Sequence, residues 1–133
     1  VAWILITITK QNKDLKMHEL PLTNKILETA IDFAEKNNAV QIQEINLLIG
    51  ELSDIEEHWL NHYFRYISKD TIAADANLKI TRVNIKWLCL NCFFEFRGDK
   101  KSDKPPKCPK CQETKNLELI NGREFIIESI GII

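Results

Sequence analysis

The sequence predicts an α+β fold: a small three-stranded sheet with two helices, interrupted by an inserted ribbon subdomain. Three observations carry this. Apolar residues recur at helical spacing after Pro21 and again after Ser53. Alternating apolar runs occupy 40–49, 78–85 and the stretch from about 123 onward. Two Cys-x-x-Cys pairs fall between the second and third of these runs. The 133 residues, 44% hydrophobic and 28% charged, suit one globular domain with a small appended module.

In chain order, Leu22, Ile26, Ala30 and Phe33, flanked by Leu27, Ile31 and Ala34, give the broad apolar stripe of a first helix. Pro21 suits its first turn, where a missing amide hydrogen costs nothing, and Asn37-Asn38 tolerates the left-handed backbone of a helix end. His18 and Glu19 therefore sit at or just before the helix start. Val40, Ile42, Ile45, Leu47 and Ile49 read as a strand closed by Gly50. Ser53-Asp54-Ile55-Glu56 has the form of a capping box opening a second helix, whose buried side would carry Ile55, Trp59, Tyr63 and Ile67. A turn or short helix through Ala73-Ala74 leads to a second strand marked by Leu78, Ile80, Val83 and Ile85, with a phase slip at Thr81-Arg82 that suggests a bulge. Phe125, Ile127 and Ile130 mark the third strand.

Cys89-x2-Cys92 and Cys108-x2-Cys111, separated by fifteen residues, have the spacing of a four-thiolate zinc site. Each pair presents two sulfurs from one tight turn, and the intervening hairpin brings the turns together round a tetrahedral ion. With four protein ligands no position remains for water, so this zinc is expected to be structural, not hydrolytic. The segment is too small to bury a sufficient core alone, and metal binding supplies the missing folding free energy, on the order of 10 kcal/mol. A redox dithiol fits less well, because that pattern has a single Cys-x-x-Cys. Gln112 stands where a zinc knuckle usually has glycine.

Charge excludes other classes. The net charge is −1, and residues 17–133 carry −3, so nothing attracts nucleic acid or anionic lipid in general. Six basic residues between the outer cysteines, Arg97, Lys100, Lys101, Lys104, Lys107 and Lys110, face Glu95, Asp99 and Asp103. A zinc-tetrathiolate at −2 nearly cancels that excess, leaving a poor phosphate surface. Phe93, Phe94 and Phe96 could stack on bases, but packing the ribbon is the simpler use, so a nucleic-acid or transcription-associated module is the second reading. The apolar run Val1–Ile8 falls far short of the roughly 20 residues that span a membrane, and it lacks the flanks of a secretory signal. A cytoplasmic protein is expected. No phosphate loop, nucleophile-base pair or open metal site is present in the pattern, so an enzyme is not expected.

His58 and His62 share a helix face at i, i+4, which suits a metal, yet two helical ligands without a third read as ordinary surface histidines. "HELPL" is not a zinc-protease motif, since position 22 is Leu where the second His is required. Met17 is the only methionine, and it precedes His18 directly. If the chain begins there, a free α-amine of reference pKa about 8 lies beside an imidazole. A deprotonated backbone amide then completes a planar nitrogen set of the kind that suits Ni²⁺ or Cu²⁺.

Met17-His18-Glu19-Leu20 opening a helix, Gly50-Glu51-Leu52-Ser53 after a strand, the doubled Cys-x-x-Cys, and Gly122-Arg123-Glu124 before the last strand occur in this order over residues 17–133. Together they resemble the HypA/HybF family of hydrogenase maturation factors. The resemblance implies a nickel metallochaperone carrying Ni(II) as cargo at His18, with Met17 and Glu19 as supporting ligands. It also implies structural Zn(II) on Cys89, Cys92, Cys108 and Cys111. The implied partners are a HypB-type GTPase and the large subunit of [NiFe]-hydrogenase, with a homodimer as an open assembly state. Glu56 is a weaker nickel candidate, since a capping role already accounts for it. The expected organisation is an α/β nickel-binding domain of residues 17–86 and 116–133, a zinc-ribbon domain of 87–115, and an N-terminal extension of 1–16. That extension is read as a leader or an extended reading frame ahead of a start at Met17; the alternative is a genuine extension that pairs as an extra strand.

Overall fold

The computed structural model describes residues 2–9, 19–100 and 104–133. Nine elements follow in order: β1 (Ala2–Thr9), α1 (Glu19–Lys36), β2 (Ile42–Gly50), α2 (Glu57–Ile67), β3 (Asn77–Val83), β4 (Lys86–Cys89), β5 (Glu95–Arg97), β6 (Leu117–Asn121) and β7 (Phe125–Ile132). They form two sheets. The first has strand order β1-β7-β2-β3, and the second has order β5-β4-β6.

The α+β class, the two helices and the interrupting ribbon are as the sequence predicts. The main sheet has four strands where three were expected, because Ala2–Thr9 pairs antiparallel with β7, Ala2 opposite Ile132 and Thr9 opposite Ile126. Among its described side chains, Ile4 reaches the core, while Trp3 and Leu5 are 53% and 80% exposed. The chain leaves β2, passes through α2 and returns in β3, which runs parallel to β2 from Glu44 opposite Asn77 to Gly50 opposite Val83. β7 fills the other side of β2 in antiparallel register.

Both helices deliver small and branched side chains to one core. Ile26, Ala30 and Ala34 of α1 meet Leu60 and Phe64 of α2 over Ile45, Leu47 and Ile49 of β2 and Ile127 and Ile130 of β7. Asn38 ends α1 with φ 57°, the left-handed conformation its sequence position anticipates. α2 departs from expectation in two respects. It starts at Glu57, with Glu56 as an N-cap residue that makes no side-chain cap bond, so the Ser53–Glu56 capping box does not form. Its buried residues are Leu60 and Phe64; Trp59 is 42% exposed and Tyr63 half-buried, while Ile55 and Ile67 do pack on the core. The bulge expected at Thr81-Arg82 is absent too. The β2–β3 register is continuous, and the phase slip arises because β3 stops at Val83 and Ile85 is buried in the junction to the ribbon.

That junction is tight. The amide of Gly50 donates to Glu124 O (2.8 Å), the amide of Leu52 to Gly122 O (2.8 Å), and the amide of Glu51 to Val83 O (2.9 Å). A β-carbon at Gly50 would collide with the carbonyl of Gly122 and the amide of Arg123, both backbone, so neither can swing aside. Gly122 itself has φ 129°, a conformation L side chains rarely adopt. Gly50→Ala is therefore expected to lower the unfolding free energy by about 3 kcal/mol in urea titration. A loss within experimental error of zero would show that the two loops are not held in this contact.

Candidate metal centre

The ribbon brings all four cysteines to one point. β4 ends at Cys89, and the turn after it is closed by Phe93 N donating to Cys89 O (2.7 Å) and Cys89 N donating to Phe94 O (2.9 Å). The second turn repeats this geometry, with Gln112 N on Cys108 O (2.9 Å) and Cys108 N on Glu113 O (3.0 Å). In each, the residue after the second cysteine is left-handed: Phe93 has φ 61° and Gln112 φ 64°. Gln112 thus adopts the backbone that glycine would favour, and the two turns are equivalent despite the sequence departure.

The four sulfur atoms lie within 4.8 Å of one another, with Cys89–Cys111 at 3.4 Å and Cys92–Cys108 at 3.6 Å. Four sulfurs at about 2.3 Å from a central ion in a tetrahedron stand roughly 3.8 Å apart, so the cluster fits zinc. Cys89 and Cys108 are fully buried. The thiols differ in their readiness to ionise. Burial pushes Cys92 up to about 12, against the Phe94 amide and with the neighbouring cysteines adding to the rise. At Cys108 burial opposes ionisation, yet the amides of Cys111 and Lys110 outweigh it and the pKa is lowered. At Cys111 the Glu113 amide is the main cause of a fall to about 6, aided by the Asn91 side chain. Glu113 in turn is held below its ordinary value by the amides of Lys115, Asn116 and Thr114, which fixes the turn behind the second pair. Backbone amides therefore favour the charged form of the Cys108 and Cys111 sulfurs.

A second feature lies where the ribbon meets the main sheet. A cleft of about 820 Å³ is lined by the carboxylates of Glu51, Asp54, Glu56, Glu57 and Asp99, the cations Arg82 and Lys100, and His58. Arg82 organises it, donating to Glu57 Oε1 (3.1 Å), Ile55 O (2.6 Å) and Gly50 O (3.4 Å). From the ribbon, Lys100 reaches Ser53 O (3.2 Å) and Asp54 (3.4 Å), and Arg97 reaches Glu51 (3.6 Å). Sequence reasoning did not find this cleft. Its parts come from three separate segments, and Arg82 looks like any polar strand residue. Glu56, which makes no side-chain cap bond, lines the cleft. Of the predicted nickel residues, Met17 and His18 lie outside the described residues, and Glu19 is the first residue of α1.

A family described as "Hydrogenase/urease nickel incorporation, metallochaperone, hypA" matches residues 17–132. The hydrogenase maturation factor HypA of Dehalococcoides mccartyi is 38% identical over 116 residues, covering 87% of this chain and 94% of its own. That of Methanococcus maripaludis is 36% identical over 121 residues, covering 87% and 95%. The solution structure of the Ni metallochaperone HypA from Helicobacter pylori is similar in fold, with a TM-score of 0.63 at 24% identity over 88% of this chain and 98% of that one. A second HypA solution structure gives 0.68 at 24% identity over 89% and 98%.

If an ion holds the ribbon, a strong chelator should strip amide-exchange protection from residues 86–121 while α1, α2 and the four-stranded sheet keep theirs. Cys108→Ser should do the same, and so should acid, since zinc is lost as falling pH returns protons to the thiolates. Persistent protection of the ribbon after chelation would contradict this.

Proposed function

The chain belongs to the HypA family of nickel-incorporation metallochaperones, and from that premise we propose that it takes up Ni(II) at the Met17-His18-Glu19 segment and delivers it to the large subunit of [NiFe]-hydrogenase. In this reading a HypB-type GTPase acts with it, in the cytoplasm. Cys89, Cys92, Cys108 and Cys111 hold a resident zinc that shapes the ribbon of residues 87–115, and residues 17–86 and 116–133 form the nickel-binding domain.

One observation carries the assignment of cargo: the four sulfurs close on one another within 4.8 Å, four thiolates fill the shell of a tetrahedral ion, and an ion that must be released needs another site. The family match begins at residue 17, where an imidazole and a carboxylate follow in succession. Nitrogen and oxygen donors suit Ni²⁺, and a chain-terminal set exchanges ligands more readily than a buried tetrathiolate. The Met17 α-amine joins the set only where the chain begins at that residue. With residues 1–16 attached, the donors are the His18 imidazole and the Glu19 carboxylate, and the carboxylate of Glu56 is the further candidate.

His18→Ala should weaken nickel binding at least tenfold in calorimetric titration, about 1.4 kcal/mol or more, with zinc content and circular dichroism unchanged. Residues 17–133 should bind nickel more tightly than the 133-residue chain. Titration curves unaffected by His18→Ala would place the cargo elsewhere.

A further inference from the structure

α2 turns an unusual face outward. Leu60 and Phe64 occupy its core side, which leaves His58 and His62 exposed one turn apart on the opposite side. Residues four apart on a helix stand side by side, with β-carbons about 5–6 Å apart. The Trp59 indole flanks the pair and meets both imidazoles edge-on, at 5.3 Å and 69° to His58 and at 5.7 Å and 90° to His62. Trp59 is itself stacked on Tyr63 at 5.8 Å and 26°, and Tyr63 also touches the His62 ring. The two imidazoles are thus buttressed by rings. Restricting the rotamers in advance lowers the entropy lost when both rings take up a common ligand.

We propose that His58 and His62 form a second, weaker site for a borderline divalent ion such as Ni²⁺, separate from the terminal segment and from the thiolates. Imidazole nitrogen selects nickel, copper and zinc over magnesium and calcium. The second requirement for such a site is a supply of cation. His58 lines the cleft that also carries Glu51, Asp54, Glu56, Glu57 and Asp99, where Arg97, Lys100 and Arg82 pair with Glu51, Asp54 and Glu57. A cleft in which carboxylates outnumber cations raises the local concentration of cations. Two protein nitrogens leave the remaining positions to water, so the ion is held loosely and exchanges. A plain helical histidine pair lacks these features; the ring buttress and the acidic cleft next to it are what the structure adds.

The site does not depend on the terminal reading, and the test separates them. Ni²⁺ is added to the zinc-loaded full chain carrying His18→Ala, and paramagnetic broadening of backbone amide signals is mapped by NMR, with Mg²⁺ as a control. Broadening is expected to centre on residues 58–62, with His58→Gln and His62→Gln each weakening the apparent affinity at least tenfold. Both positions are exposed on the helix surface, and circular dichroism together with the unperturbed core signals checks that the variants fold. Mg²⁺ should leave the spectrum unchanged. Broadening that survives either substitution would overturn the proposal in favour of the acidic cleft alone, and so would a map centred on Glu51–Glu57. An absence of broadening near α2 would overturn it outright.

Discussion

Four sulfur atoms gathered within 4.8 Å cannot all carry charge unless a cation stands among them. That electrostatic constraint governs the rest of the molecule. It makes the ribbon a metal-dependent fold, because three short strands and two turns bury too little to hold themselves together. It also commits all four cysteines to one permanent ion.

Mechanical coupling between the ribbon and the four-stranded sheet runs through the corner where Gly50 meets Gly122. Backbone contacts there fix the loop of residues 51–56, and Arg82 pins its far side through Ile55 O and Glu57. Ribbon residues Arg97 and Lys100 then grip the same loop at Glu51, Ser53 and Asp54. A ribbon folded by its ion thus presses on the loop that carries the cleft carboxylates. Glu124 belongs to this corner as well: its Oε1 accepts the amides of Gly122 (2.6 Å) and Arg123 (3.1 Å). Two of the motifs that carry the family likeness, 50–53 and 122–124, are therefore one structural joint, and their glycines serve close backbone approach.

Much of this was legible in the sequence wherever the cause was local. The helical stripe from Leu22, the strand ending at Gly50, and the cysteine turns all depend on near neighbours, and each is present. The misreadings have tertiary causes. Ser53 matches a cap by spacing, but its amide bonds Gly50 O, and Arg82 takes the Ile55 carbonyl, so the helix begins later. α2 offers two apolar stripes by periodicity. The sheet accepts Leu60 and Phe64, which carry no polar atom, and leaves outside the Trp59 indole and the half-buried Tyr63, whose N–H and O–H would need partners inside. The phase of Leu78–Ile85 looked like a bulge because Ile85 serves the ribbon junction, packed against the space beside Gly98 and Gly122. The acidic cleft had no sequence signal at all, since its lining is assembled from residues 51–58, Arg82 and 99–100 only by folding.

The separation of a sulfur-bound resident ion from a nitrogen- and oxygen-bound cargo is tested most directly by X-ray absorption at the zinc and nickel edges of the same doubly loaded sample. The account predicts four sulfur neighbours at about 2.3 Å round zinc and a nickel shell of nitrogen and oxygen only. A sulfur shell round nickel, or zinc displaced from sulfur when nickel is added, would contradict it.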